Sequence, residues 1–278
     1  MVVESKTSKS GAKMQDTKAN NTMAYAVAKE VGGEFPLNYF SFVDPEFSFI
    51  YFSVPGVAHI RTIGSLQYAV AHARGDHFEI TNMKPIYNRD VGLIGNPRSL
   101  GFEQFGQMLD DPSVIRFTFL RDPADRFAAL YQSLLSINNK RSNPRQKIFS
   151  FLDLPLDENL SMIDLAELVL EEPELKAVAP QLRSQRQMIA FELVDYSFIG
   201  HHETWETGFA DVALEIFGEE TELFNPVGVI AADIEGLVVK PLVSSELRAV
   251  IKEAYAEDYE MIEEVAELYP DGFLAEHI

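Results

Sequence analysis

Arg121 stands where residue types and spacing point most directly to chemistry. It ends the run Val114-Ile-Arg-Phe-Thr-Phe-Leu-Arg-Asp-Pro-Ala-Asp-Arg-Phe-Ala-Ala-Leu-Tyr131 at the point where one kind of pattern gives way to another. Residues 114 to 120 alternate as a strand does, and Arg121-Asp122-Pro123 breaks the alternation. Pro123 suits the first turn of a helix, where its missing N–H costs nothing. Phe127, Leu130, Tyr131 and Leu134 then recur at helical spacing. The pattern delivers a guanidinium to the carboxyl end of a strand, just before a helix N-terminus, which is where open α/β sheets bind anions. The alternative is a plain structural elbow, with Asp122 as a helix cap.

A second strand–loop–helix junction reads Phe52-Ser-Val-Pro-Gly-Val-Ala-His-Ile-Arg-Thr62. Its backbone amides and helix start can receive an anion whatever the side chains are. His59 can donate from a ring nitrogen, Arg61 can supply a cation and Thr62 a hydroxyl. Gly56-x-x-x-x-Arg61-Thr62 also reads as a shortened nucleoside-triphosphate loop, but it lacks that motif's second Gly and its Lys. A further alternative is that His59 and Arg61 merely line a helix start.

These junctions need a frame. Phe47–Val54, Ile115–Leu120 and Val194–Ile199 are rich in aromatic and β-branched residues and are predicted as neighbouring strands of one sheet. Helices are expected from about Ile60 to Ala73, Gly101 to Leu109, Ser161 to Glu171, Pro173 to Ala190, Thr204 to Phe217 and Ser244 to Leu268. Residues 75–100 read as irregular, and Asn138–Lys147 as a polar, basic loop. Strands alternating with helices argue an α/β protein with a parallel sheet. No internal repeat or long linker is present, so residues 23–278 are expected to form a single domain. Residues 1–22, made largely of Lys, Ser, Thr, Asn and Gln, are expected to be a disordered tail.

Four colinear segments resemble the sulfotransferases that use 3′-phosphoadenosine-5′-phosphosulfate (PAPS), the carbohydrate sulfotransferase branch above all. The strand–Arg121-Asp122-Pro123-x-x-Arg126–helix segment is similar to the family's 3′-phosphate-binding segment. The loop around Val54-Pro55 resembles Val-Pro-Lys-x-(Gly/Ala)-(Ser/Thr)-Thr, which wraps the 5′-phosphosulfate. Ala179-Pro-Gln181 followed by Tyr196-Ser-Phe-Ile-Gly-His-His-Glu-Thr204 resembles the Pro-Gln and Phe-(Ile/Val)-Gly-x-x-Glu stretches. Tyr255-Ala-Glu-Asp-Tyr259 resembles the Tyr-x-x-Asp-(Tyr/Phe) signature of the last helix.

The resemblance implies a P-loop-like three-layer sandwich, a central mainly parallel sheet flanked by helices. It implies sulfuryl transfer from PAPS to a hydroxyl of a carbohydrate or other small acceptor, without a metal. It places Pro55, Gly56, Val57, Ala58, His59, Ile60, Arg61, Thr62, Arg121 and Ser133 at the nucleotide. The departures are as informative. Gly56 stands where the lysine is expected, and His59 and Ile60 stand where the hydroxyls are expected. Ala129 replaces the serine eight residues after Arg121, leaving Ser133 one turn later, and Ala177 replaces a His before Pro-Gln. The rival expectation is therefore a sulfotransferase-fold protein that binds a nucleotide, another anion or a protein partner without transfer. Arg126 is expected in an ion pair with Asp122 or another acidic neighbour.

Transfer to a hydroxyl wants a general base near the acceptor. His77 and Glu79, after the first long helix, are the leading candidates; His72, His201, His202 and Glu203 are the others. No His/Asp/Glu group has metal-ligand spacing, and no Gly-x-Ser-x-Gly elbow is present.

Composition bounds the partners and the compartment. The chain has 278 residues and no cysteine, which excludes disulfides, thiolate metal sites and thiol nucleophiles. Residues 1–150 hold 17 Lys+Arg against 14 Asp+Glu, whereas residues 151–278 hold 6 against 29. The acidic half argues against nucleic acid, and any phosphate-bearing ligand is expected in the first half. No run of 18 uncharged apolar residues and no apolar signal core is present, so a cytoplasmic protein without an integral membrane segment is expected.

Overall fold

The computed structural model describes residues 23–88, 90–135, 143–218, 221–225 and 243–268. The expected tail at 1–22 and the first half of the expected basic loop, residues 138–142, lie outside these. Two helices open the described chain, α1 (Met23–Glu30) and α2 (Glu34–Phe40). A hairpin follows, β1 (Ser41–Asp44) and β2 (Phe49–Phe52), then the long helix α3 (His59–Arg74). Short helices α4 (Lys84–Tyr87) and α5 (Pro97–Leu100) lead to α6 (Phe102–Asp110). The second parallel strand, β3 (Ile115–Leu120), runs into α7 (Pro123–Leu135). Helices α8 (Asn143–Phe151), α9 (Met162–Glu171), α10 (Leu175–Val178) and α11 (Gln185–Met188) precede β4 (Phe198–His201). The described chain closes with α12 (Trp205–Phe217), α13 (Ser245–Ala254) and α14 (Ala256–Leu268).

The molecule is α/β, with a four-stranded sheet in the order β1-β2-β3-β4 flanked by helices. β1 is antiparallel to β2, while β2, β3 and β4 are mutually parallel. Every residue of β2 and β3 is buried, as expected for parallel strands covered on both faces. Parallel pairing puts the carboxyl ends of β2, β3 and β4 on one edge, so the loops after Phe52, Leu120 and His201 emerge together.

Two apolar clusters carry the packing. One joins the sheet to α1, α3, α6 and α12, with Phe49, Phe117, Phe119, Phe198 and Trp205 at its centre. The other is helical and gathers Phe127, Leu130, Phe149, Leu165, Leu182, Ile251 and Tyr255 from α7, α8, α9, α13 and the segments beside them.

Several expectations are corrected: β4 begins at Phe198 rather than at Val194, and the short helices α4 and α5 lie within residues 75–100, expected to be irregular. Ser41–Asp44 carries no strand pattern of its own, yet as β1 it pairs residue for residue with β2 from Ser41↔Phe52 to Asp44↔Phe49. Asn143–Lys147, expected in a loop, begins α8. Residues 173–190 do not form one helix: α10 ends at Val178 and a 3₁₀ turn at Pro180–Leu182 precedes α11. The helix expected over Ser244–Leu268 breaks at Tyr255 (φ −130°, ψ 37°), whose hydroxyl donates to the Leu182 carbonyl at 2.6 Å. No Gly or Pro marks that break; the tertiary hydrogen bond and the ring's burial do.

Gly200 shows how tightly the sheet packs. A methyl group there would come within 2.6 Å of the Phe119 ring and 2.7 Å of the Phe198 ring. The Phe119 ring already contacts those of Phe198 and Trp205. Overpacking of this kind costs about 1–3 kcal/mol. Gly200→Ala should therefore lower stability by about that much in chemical denaturation, and an unchanged midpoint would show that the rings part freely.

Candidate functional site

The loop after β2 is short and buried. Val54, Pro55 and Val57 are buried, and the Val57 N–H donates to the Val54 carbonyl at 3.1 Å. Gly56 (φ +84°) and Ala58 (φ +46°) both adopt left-handed backbone. At Gly56 the glycine is required twice over. Its φ disfavours a side chain, and a Cβ would meet the Arg126 carbonyl at 3.1 Å and Leu130 at 3.2 Å. Ala58 caps α3 by backbone position only, with no side-chain cap, so the first amides of that helix have no side-chain acceptor.

Arg121 meets this loop directly. Its Nη1 donates to the Gly56 carbonyl at 3.0 Å, so the two anion-type junctions lie against each other at the carboxyl edge. The strand end is locked by Gln185, whose side chain accepts from the Arg121 N–H at 3.1 Å and donates to the Arg121 carbonyl at 2.8 Å. Nε of Arg121 is buried without a hydrogen-bond partner. Desolvation pulls this guanidinium's pKa down, and Asp125, Glu203 and Asp122 counteract it. Asp122 also does what an elbow would ask of it: its carboxylate accepts from the Asp125 N–H at 2.9 Å, in the first turn of α7.

Arg126 faces inward and is 1% exposed. Nε donates to the Pro55 carbonyl at 3.1 Å and Nη2 to the Gln181 carbonyl at 2.9 Å. Nη1 lies 3.8 Å from Asp258. The expected pairing with Asp122 is not made; Asp122 and Asp125 are instead held by Arg248 at 3.0 and 2.8 Å. The four segments that carry the family resemblance thus converge: the loop at 55, the helix at 126, Pro180-Gln181 and the Tyr255–Tyr259 stretch. Burial pushes the Asp258 carboxyl up, while Arg126 and the backbone N–H groups of Gln185 and Arg186 hold it down.

The remaining residues of the α3 start divide. His59 is half-buried, and burial pushes its imidazole down to about 4, so it is neutral near pH 7. Ile60 packs against the core. Arg61 is bonded to Glu206 at 2.6 Å and stacks over the Trp205 ring, 4.2 Å from its centroid. Thr62 is fully buried; its hydroxyl donates to the Ala58 carbonyl at 3.1 Å and accepts from Trp205 Nε1 at 2.8 Å. That hydroxyl faces the core rather than a ligand. Ser133 is exposed and donates to the Leu130 carbonyl at 2.9 Å. It stands ten residues into α7, roughly 15 Å along the axis from the helix start.

His77 and Glu79 lie apart from this edge. With His72, Asp76, Tyr68 and Glu222 they line a cleft of about 500 Å³ beyond the far end of α3. The 16 residues of α3 separate the two places by roughly 24 Å. His202 and Glu203, by contrast, follow β4 at the carboxyl edge. His202 Nδ1 is buried without a partner, and Arg121 and Arg61 are close enough to disfavour its protonation. Gln185 and Glu206 were not legible as site residues, since each acts through a partner far away in sequence. Among the described residues no group of three or more His, Asp or Glu side chains is placed to hold a metal, and no helix is long and apolar enough to cross a membrane.

Comparison of the chain with protein-family models, characterised proteins and solved structures gives no match.

Breaking a buried charge pair from one side leaves the other charge uncompensated and costs about 3–5 kcal/mol. Arg126→Met should destabilise the protein by that much in urea titration, and adding Asp258→Asn should recover part of it. A loss below about 1 kcal/mol in the single variant would remove Arg126 as the tie between these segments.

Proposed function

We propose that this chain is a sulfotransferase-like protein with a P-loop-like three-layer frame. In this reading it holds PAPS, or the product adenosine 3′,5′-bisphosphate, across the loop at 55–61 and Arg121. It passes the sulfuryl group to a hydroxyl of a carbohydrate or other small acceptor. The observation that carries the reading is the contact of Arg121 with Gly56, at 3.0 Å. An isolated elbow at 121 would not need to meet a second anion-type loop 65 residues away. The convergence of the other resembling segments on Arg126 supports the same frame.

The chemistry asks for little covalent participation by the protein. The bond from sulfur to the leaving phosphate oxygen breaks, the bond from sulfur to the acceptor oxygen forms, and the acceptor proton is released. Charge grows on the leaving phosphate, and fixed donors must meet it. Here those donors would be the uncapped amides of α3, with Arg121 holding the 3′-phosphate. A lysine is absent, and at Gly56 one would be strained by the left-handed φ and would crowd the Arg126 carbonyl at 3.1 Å. Losing one such donor typically costs about 100- to 1000-fold in rate. Transfer should accordingly be weak, and any residual turnover should depend on Arg61.

The rival reading, nucleotide or anion binding without transfer, is favoured by two specific contacts. Arg61 is engaged by Glu206 and Trp205, and the Thr62 hydroxyl is spent in the core. Binding and turnover separate the two readings. Arg121→Ala should weaken adenosine 3′,5′-bisphosphate by about 2–3 kcal/mol in calorimetry, the scale of a charge-assisted hydrogen bond. Unchanged affinity in the folded variant would assign Arg121 to the scaffold. With radiolabelled PAPS and a panel of glycan acceptors, slow transfer lost in Arg61→Ala supports the enzyme. Tight nucleotide binding with no transfer supports the rival.

A further inference from the structure

We propose that His202 is a third anion-binding group at this edge, taking up a proton as a dianion settles among His202, Arg121 and Arg61. The inference rests on the reading of the edge as an anion site, and adds to it a residue and a pH dependence.

Sheet register comes first. β4 pairs with β3 so that His201 stands opposite Leu120. The next residue of each strand, His202 and Arg121, therefore leaves the same edge beside the other. The second observation is a pair of unmet atoms. His202 Nδ1 and Arg121 Nε are both buried and both lack a hydrogen-bond partner. Buried polar atoms are nearly always satisfied, and leaving one unmet is costly, so two at one edge point to a polar ligand.

The charges facing the ring decide its proton. Arg121 comes from the end of β3, Arg61 from the first turn of α3, Asp125 from the first turn of α7 and Glu203 from the next position in the chain. Burial and the two arginines hold the imidazole neutral, while Glu203 and Asp125 pull the other way. His59, at the start of α3, is held neutral by burial. A dianion lying between the two guanidinium groups would cancel their repulsion of an imidazolium. The bound state would then favour the protonated ring, and Nδ1–H would become a donor to the anion. Linkage is reciprocal: whatever the anion does to proton affinity, the proton does to anion affinity.

Sulfate is the probe, because its charge does not change between about pH 5.5 and 8, the range in which histidine titrates. The full chain would be titrated with sulfate by calorimetry across that range, in buffers of different ionisation enthalpy, to count protons. The expected result is proton uptake on binding. Affinity should fall as pH rises, by at most about tenfold per pH unit for a single proton. His202→Gln should abolish the uptake and flatten the pH profile. In the unaltered chain, the His202 ring followed by NMR should show its pKa rising when sulfate saturates the site. This reading keeps the test decisive if His202→Gln fails to fold. Sulfate binding without proton uptake, or uptake that survives His202→Gln, overturns the inference. Arg121→Ala separates the two levels. If it weakens sulfate binding while His202→Gln changes nothing, only the role of His202 falls. If Arg121→Ala binds sulfate as well as the parent does, the anion site itself falls.

Discussion

A buried arginine governs how the rest of the molecule is joined. Removing a guanidinium from water is costly, and five N–H donors must then find acceptors. Arg126 finds them on segments that are remote in sequence, the Pro55 and Gln181 carbonyls and the Met188 sulfur, with the Asp258 carboxylate 3.8 Å away as its ionic partner. The three hydrogen-bond acceptors are neutral, so the charge is met by dipoles as well as by its ion pair. The side chain springs from α7, whose apolar residues belong to the helical cluster, and it reaches the loop that follows β2 of the sheet cluster. The two clusters are thereby linked through a polar contact that tolerates little change in geometry.

That link fixes the candidate site. Because Arg126 holds the Pro55 carbonyl, and its own backbone and Leu130 press against Gly56, the loop has one way to turn. The left-handed φ of Gly56 then presents its carbonyl to Arg121. Gln185 performs the same service on the other side, pinning the backbone of Arg121 with two hydrogen bonds. The adjoining Arg186 N–H donates to Asp258 at 2.9 Å, so both supports trace back to one buried carboxylate. Pre-organisation of this kind is what an anion site needs, since donors that must reorganise lose much of their value.

β2 and β3 were legible because their runs are aromatic, β-branched and bounded by Pro, Gly or a charged turn, whereas β4 begins four residues later than its apolar pattern suggests. Arg121 was legible because it falls where a period of two becomes a period of 3.6. β1 was not, since four residues after a helix carry too little pattern, and its pairing partner rather than its composition makes it a strand. The break at Tyr255 was hidden for a similar reason: its cause is a hydrogen bond to Leu182, 73 residues earlier. The same limit applies to side-chain roles. Local spacing offered Thr62 and Arg61 as ligands, but Trp205 and Glu206, 143 and 145 residues on, decide where they point. Local sequence specifies which groups reach the edge. The partners that claim them depend on how α12 and α14 fold back.

Charge at the edge is nearly balanced, and the terms of that balance matter more than the net value. Arg61 is tied to Glu206 across a pair in which both side chains are partly exposed, 35% and 69%. Exposed pairs are worth at most about 1 kcal/mol, so little opposes an incoming anion there. Arg121 is different: its partner is a neutral carbonyl in a half-buried setting. Exchanging a carbonyl for a charged oxygen strengthens the bond, because charge-assisted hydrogen bonds are roughly twice as strong as neutral ones. The carboxylates that crowd the edge, Asp122 and Asp125, are spoken for by Arg248. Among the described residues Glu203, which flanks His202, forms no such arginine bridge. The cations Arg61 and Arg121 of this edge are therefore each held by a weak or neutral partner.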